Sequence, residues 1–277
     1  MKKQPNTEKL LSKEILDFYN DGKEVGRLSK GLGKLELMRI QELIERHFPP
    51  PPAVVFDIGG GPGVYSCWLA KSGYEVHLVD AAPFNVEQAR KASQQQPSHP
   101  IASLKVGDAR NLDYPDSSAD AILLHGPLYH LTDRSDRLQA IRESKRILRP
   151  GGVLLAVAIT SYSSTIVGLI HGWVWDADYF EMIRQELKTG QHRKPANWNV
   201  FTTAFFHHPD ELKAELEDAG MIHQSTLGVQ GPGWMIPEFE KSMNDKKRRE
   251  VVLKLARMME KEPVMSPHVV AVARKRR

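Results

Sequence analysis

Cysteine is almost absent from this sequence. Cys67 is the only one in 277 residues, which rules out an intramolecular disulfide and a multi-cysteine zinc site and leads us to expect a reducing compartment. Long apolar runs are missing too. The stretches near Val153 and Ile166 are too short or too interrupted to span a bilayer, and Met1 to Lys9 is polar and lacks the apolar core of a signal peptide. The expectation is a cytoplasmic protein with no membrane partner. A surplus of one charge is lacking as well. The formal charge is +4, from 38 Lys and Arg against 34 Asp and Glu, and Arg274, Lys275, Arg276 and Arg277 alone account for it. A nucleic-acid-binding face is therefore not indicated. No histidine–carboxylate spacing reads as a metal site. No linker-like stretch divides the chain, so a single elaborated domain over 1–277 is expected. Nothing in the pattern specifies an oligomeric state.

What the chain does have is organised around residues 53–63, AVVFDIGGGPG. Ala53, Val54, Val55, Phe56 and Ile58 make a short apolar run, as in a central parallel strand covered on both faces. Asp57 interrupts it near its end. Gly59, Gly60, Gly61 and Gly63 let the backbone turn tightly and approach a ligand without Cβ obstruction, and Val64 to Ala70 opens a helix behind them. Such a turn suits a nucleotide-like molecule. The dinucleotide fingerprint wants a third glycine where this chain has Val64, and the phosphate loop wants a Gly-Lys-Ser/Thr ending that is absent.

An acid, a spacer, then Gly59, Gly61 and Gly63 at alternate positions resembles the first motif of the class I S-adenosylmethionine-dependent methyltransferases. Further resemblance follows in order. Tyr74 to Val79 reads as a second strand ending in Asp80, where a carboxylate can accept from both ribose hydroxyls. Ile101 to Val106 makes a third strand before Gly107-Asp108-Ala109-Arg110; the resemblance implies that Asp108 receives the adenine amino group while the adjacent amide meets a ring nitrogen. Ala119 to Leu124 is the fourth strand and runs into His125-Gly126-Pro127-Leu128-Tyr129-His130. After an amphipathic helix from Arg134 to Leu148, the run ILRPGGVLL enters a fifth strand, Val153 to Ile159, and is similar to the same family. The resemblance covers roughly residues 53 to 160.

The resemblance implies an α/β fold, a doubly wound seven-stranded mostly parallel sheet with one antiparallel strand. The sixth and seventh strands would be Met221 to Val229 and Val269 to Ala273, with a polar surface helix from Pro237 to Lys261 between them. Two additions are expected. Helical spacing over 8–20 and 34–48 makes an N-terminal cap, 1–50, whose plain reading is a helix pair covering the sheet edge. In the sharper reading Tyr19 and Arg27 fold over the cofactor, Arg27 meeting its methionyl carboxylate. The second addition is Ser161 to Phe206, an aromatic-rich insertion after strand five read as a substrate lid. It holds Tyr162, Trp173, Trp175, Tyr179, Phe180, Trp198, Phe201, Phe205 and Phe206.

The implied cofactor is S-adenosylmethionine, with S-adenosylhomocysteine as product. Its implied surroundings are Tyr19, Arg27, Asp57, Gly59, Gly60, Gly61, Gly63, Asp80, Ala81, Asp108, Ala109, His125 and Gly126. Methyl transfer is an in-line displacement, so the protein must align the acceptor, exclude water and, for a protonated acceptor, remove a proton. His130 and Tyr129 are the candidates for that task, with His125, His171, Asp176, His207 and His208 behind them. A small, partly apolar acceptor is the leading expectation. An RNA or protein methyltransferase, and a non-catalytic S-adenosylmethionine-binding protein, are the alternatives.

Overall fold

The computed structural model describes residues 13–20, 22, 26–198 and 200–277. Leu10 and Leu11 of the expected first helix, and Glu24 of the turn that follows, lie outside the described residues. Helix α1 (Lys13–Asn20) is followed by α2 (Gly31–His47), then β1 (Val54–Ile58), α3 (Val64–Lys71), β2 (Glu75–Asp80), α4 (Pro83–Gln94), β3 (Ser103–Val106), β4 (Ala119–His125) and the one-turn α5 (Pro127–His130). Next come α6 (Arg134–Ile147) and β5 (Leu148–Ile159). The insertion contributes α7 (Ser163–His171), α8 (Ala177–Thr189) and a two-residue pair, β6 (Gln191–His192) with β7 (Ala204–Phe205). The chain ends with α9 (Pro209–Asp218), β8 (Ile222–Gly228), α10 (Phe239–Asn244), α11 (Lys246–Met258) and β9 (His268–Arg274).

The main sheet has seven strands in the order β3-β2-β1-β4-β5-β9-β8, and β9 alone runs against its neighbours. This is the expected sheet. Alternation along the strands sends side chains to two cores. Phe56, Ile58, Ile122, Leu124 and Leu154 meet Leu138 and Ile141 of α6 and Leu212 and Leu216 of α9 on one face. Val55, Leu78, Leu123, Leu155 and Val270 meet Ile40, Leu43 and Ile44 of α2, Leu69 of α3 and Val86 of α4 on the other. Helix α2 therefore packs across a face of the sheet, where the plain reading had placed it on an edge.

The polar helix expected over 237–261 is two helices. Asp245 breaks it, because its carboxylate accepts from the Arg248 amide at 2.8 Å and so caps α11. Nor is this segment all surface: Met243, Val252 and Leu253 are buried against Leu35 of α2. Among the described residues no helix is long and apolar enough to cross a membrane.

Strand order reverses between β1 and β4, so their carboxyl ends diverge and open a crevice in which an α/β sheet binds its ligand. The loops after β1, β2, β3 and β4 all converge there.

Candidate functional site

The crevice is a cavity of about 940 Å3 including its open mouth. Gly59 begins its floor. It sits at φ 80°, and a Cβ there would lie 2.2 Å from the His125 carbonyl oxygen, so the chain leaving β1 can pass this close to the end of β4 only as a glycine. Gly61, at φ 53°, differs: a Cβ would meet nothing within 4 Å, because that side of the residue faces open space. Gly63 does other work. Its virtual Cβ comes within 2.9 Å of Ala89, it starts α3 from the left-handed region, and it belongs to helix packing and not to the cavity lining.

Gly63 apart, the residues expected to surround the cofactor, together with Tyr129 and His130, all line this cavity, fourteen in number and up to 111 positions apart in sequence. Asp80 holds the floor together: its carboxylate accepts from the Gly61 and Ala82 amides, each at 2.8 Å, and from Asn85 at 3.2 Å. Ala81 lies beside it. Across the opening, Asp108 is paired with Arg110 (2.8 Å), which also reaches Asp136 at 2.6 Å, and Ala109 follows. Gly126 continues the wall after β4.

Arg27 closes the opposite side, and its fork rests on Glu36 at 2.6 and 2.9 Å. Glu36 is fully buried and was passed over in the sequence, where it is one acid in an amphipathic helix. Burial pushes its carboxyl upward, but the nearby Arg27, His268 and His125 outweigh that and hold it well below the usual range. Around it stand His125 at 3.4 Å, His268 at 3.8 Å, and Tyr65, whose ring centre is 5.7 Å from that of His125. Burial drives His125 down to about 3, so its imidazole is neutral at physiological pH. Asp57 is its opposite. Burial, with the Asp80 charge nearby, pushes its carboxyl up to about 7 against the hydrogen bond it accepts from Ser66 at 2.6 Å.

His130 and Tyr129, on α5, face the same space. Tyr19 Oη shares a short hydrogen bond with His130 Nε2. Burial takes His130 down to about 3 as well. Beyond Tyr19, Arg27 and Tyr129 lies a second cavity of about 1010 Å3, which these three residues also line. Its other walls are largely apolar and come mostly from the insertion, as Val167, Trp173, Tyr179, Met182, Phe201 and Phe206, with His192 of the insertion and His268 of β9 as polar points.

The other nominated side chains are elsewhere. Asp176 caps α8 through the Tyr179 amide (2.9 Å), and His208 caps α9. His207 is buried against Glu215 at 3.3 Å, and His171 stacks on Trp173. Trp175 and Phe180 point outward, 89% and 56% exposed. His192, Met182 and His268 were not singled out in the sequence; a two-residue strand is too short to show periodicity.

The cavity is made for a polar guest. Nine buried side-chain atoms lack a hydrogen-bond partner among the described residues, and five belong to its walls: Asp57 Oδ1, Tyr65 Oη, Asn85 Oδ1, His125 Nε2 and His130 Nδ1. Such orphans are costly unless a ligand satisfies them. With the open space at Gly61, they fit a molecule bearing hydroxyl and amino groups.

Comparison with known proteins agrees. A methyltransferase domain profile matches residues 56–156. Methyltransferase GfsG of Streptomyces halstedii is 34% identical over 115 residues, 41% of this chain and 40% of that protein. A ubiquinone biosynthesis O-methyltransferase of Methylobacterium sp. is 27% identical over 194 residues, 65% of each chain. The chain thus spans less than two thirds of the length of these curated relatives. A SAM-dependent methyltransferase structure from Methanosarcina mazei superposes with a TM-score of 0.59 over 84% of this chain and 97% of that one; at 20% identity the likeness speaks for the fold alone. Residues 56–156 thus carry a methyltransferase domain, set in a seven-stranded sheet of the kind found in S-adenosylmethionine-dependent methyltransferases, the class of enzyme whose cofactor is S-adenosylmethionine.

Proposed function

We propose that the protein methylates a small, partly apolar molecule held in the second cavity, beneath the insertion. The cofactor supplies a methyl group already activated on a sulfonium, so the chain's task is to bind, orient and keep water out. In this reading Asp80 meets the ribose hydroxyls, Asp108 and the Ala109 amide meet the adenine edge, and the Gly59–Gly61 backbone gives the close approach. Asp57 lies behind these glycines and ties β1 to α3 through Ser66. Tyr19 and Arg27 close the chamber from the N-terminal cap.

The observation that carries this reading is that the two cavities meet at Tyr19, Arg27 and Tyr129. A polar cleft for the cofactor opening onto an aromatic-walled chamber suits an acceptor enclosed whole. A polymer would have to enter through the insertion. The Methylobacterium relative's name, which assigns it to ubiquinone biosynthesis, supports a small-molecule acceptor in the same direction.

The test is formation of S-adenosylhomocysteine from S-adenosylmethionine with three acceptor pools: the small-metabolite fraction of a cell extract, RNA, and a denatured protein mixture. Product is expected with the first pool only. Turnover with RNA or protein, and none with small metabolites, would reject the enclosed acceptor.

A further inference from the structure

Of the three residues shared by the cavities, Tyr19 carries a hydroxyl joined to a second titratable group, since its Oη lies against Nε2 of His130. His130 is buried in an apolar nest. Its ring packs edge-on to Tyr129 at 4.8 Å and lies 5.7 Å from Phe201, and its Nδ1 has no partner among the described residues. A neutral imidazole whose Nε2 accepts from Tyr19 can take a proton from that side without moving. Leaving the other nitrogen orphaned in an apolar site costs stability, and such unsatisfied groups collect where chemistry is done.

The chamber on the far side of Tyr19 narrows the acceptor. Trp173, Tyr179, Phe201 and Phe206 suit a flat, apolar body. An amine with a free lone pair attacks without first losing a proton. A hydroxyl is a weak nucleophile until its proton leaves, and it is the acceptor for which a poised proton receiver at the junction has a use.

Resting on the methyl-transfer reading, we propose that the acceptor is the hydroxyl of an aromatic or enolic molecule, and that Tyr19 with His130 behind it receives the hydroxyl proton. The acceptor oxygen forms its bond to the methyl carbon as the carbon–sulfur bond breaks, with sulfur keeping the electron pair. The hydroxyl proton passes to Tyr19 Oη and the proton of Tyr19 passes to His130 Nε2. One positive charge is present in the site before the step and one after it: the sulfonium charge disappears as the imidazolium forms, and its loss offsets part of the desolvation that keeps His130 neutral at rest. Tyr19 is the catalytic residue here; His130 acts through it.

The experiment compares wild type, Tyr19→Phe and His130→Gln on two probes, 2-naphthol and the more acidic 1-nitro-2-naphthol, at a pH where only the second is ionised. Both variants are expected to lose about 100-fold or more in kcat on 2-naphthol, the range for a lost general base, and to be rescued on the nitro compound to within about fivefold of wild type. Binding gives a readout apart from turnover. On protein saturated with S-adenosylhomocysteine, wild type is expected to prefer 2-naphthol over its methyl ether by about fivefold, one neutral hydrogen bond, and Tyr19→Phe to lose that preference.

Equal losses on both naphthols, no loss on either, or no turnover of either by wild type would overturn the proposal, as would turnover of 2-naphthylamine alone. Calorimetry with S-adenosylhomocysteine separates the two levels. Wild type that binds it but methylates neither naphthol removes this proposal only; wild type that fails to bind it removes the reading beneath.

Discussion

Arg137→Met is expected to lower the free energy of unfolding by about 3–5 kcal/mol, the cost of leaving a buried charge without its partner. Arg137 and Glu215 are almost wholly buried, and the guanidinium meets that carboxylate at 2.7, 3.0 and 3.1 Å. The same guanidinium donates to the Leu131 and Thr132 carbonyls, at 3.1 and 2.9 Å, and covers the Phe205 ring at 3.5 Å. It thus ties α9, the loop just beyond His130, and the insertion into one knot. Methionine keeps much of the volume but leaves Glu215 with the His207 ring and the half-exposed Arg134 as its nearby partners. The double variant Arg137→Met/Glu215→Gln is expected to recover a large part of the loss, because the orphaned charge goes with it. Urea denaturation of the two singles and the double reads this directly. A single variant within about 1 kcal/mol of wild type would show that the knot is not holding the insertion.

Acid should weaken the fold earlier than carboxylate titration alone would. In the folded protein His125 and His130 are lowered from 6.5 to about 3 by burial. Between those values the unfolded chain takes up protons that the native state refuses, so stability falls as pH falls, by up to about 1.4 kcal/mol per pH unit for each histidine. Asp57 works the other way. Raised from 3.8 to about 7 by burial, it binds a proton in the native state that the unfolded chain releases, so over most of that window it offsets one histidine. The balance is one proton, a slope of about 1.4 kcal/mol per pH unit between about pH 4 and 6.5. His47, His77 and His223, lowered by partial burial, add to it. Below that window Glu36 and Glu215, both held low, begin to lose their contribution as pH falls toward their native values. Urea midpoints at pH 4.5 and 6.5 test this with two variants: His130→Gln should flatten the dependence and Asp57→Asn should steepen it. Parallel curves for all three proteins would contradict the assignment.

The first half of the site was legible because its signals are local. Val54 to Gly63 and Tyr74 to Asp80 each carry their strand and its turn or acid in one short stretch, and the structure bonds Gly61 to Asp80 with Gly59 bonded to Val79 beside them. Glu36 was not legible, since an acid on an amphipathic helix looks solvent-facing until the rest of the chain packs over it. The groups that surround Glu36 are Arg27, His125 and His268, on three other elements, the last of them more than 200 residues further along the chain. Which side chains of the insertion line the second chamber was not legible. An aromatic-rich segment can be read from sequence, but Trp175 and Phe180 turn outward while Tyr179 and Phe206 turn in, and that choice is made by packing. The break at Asp245 was readable in principle as an N-cap within a helical pattern. Gly63 shows the converse: a motif glycine whose place is set by α3 and α4 meeting at Ala89.

S-adenosylmethionine is expected to lie in the space above Gly61. A Cβ at that residue meets no protein atom within 4 Å, so Gly61→Ala puts one methyl group into the cavity and little else. Its left-handed backbone costs alanine about 1–2 kcal/mol of stability, which a folded domain tolerates. Calorimetric titration of wild type and Gly61→Ala with S-adenosylhomocysteine is therefore the most direct test. Wild type is expected to bind, and the folded variant to bind about tenfold more weakly or worse, the effect of one overpacking methyl. A wild-type protein that does not bind, or a folded variant that binds equally well, would contradict the claim.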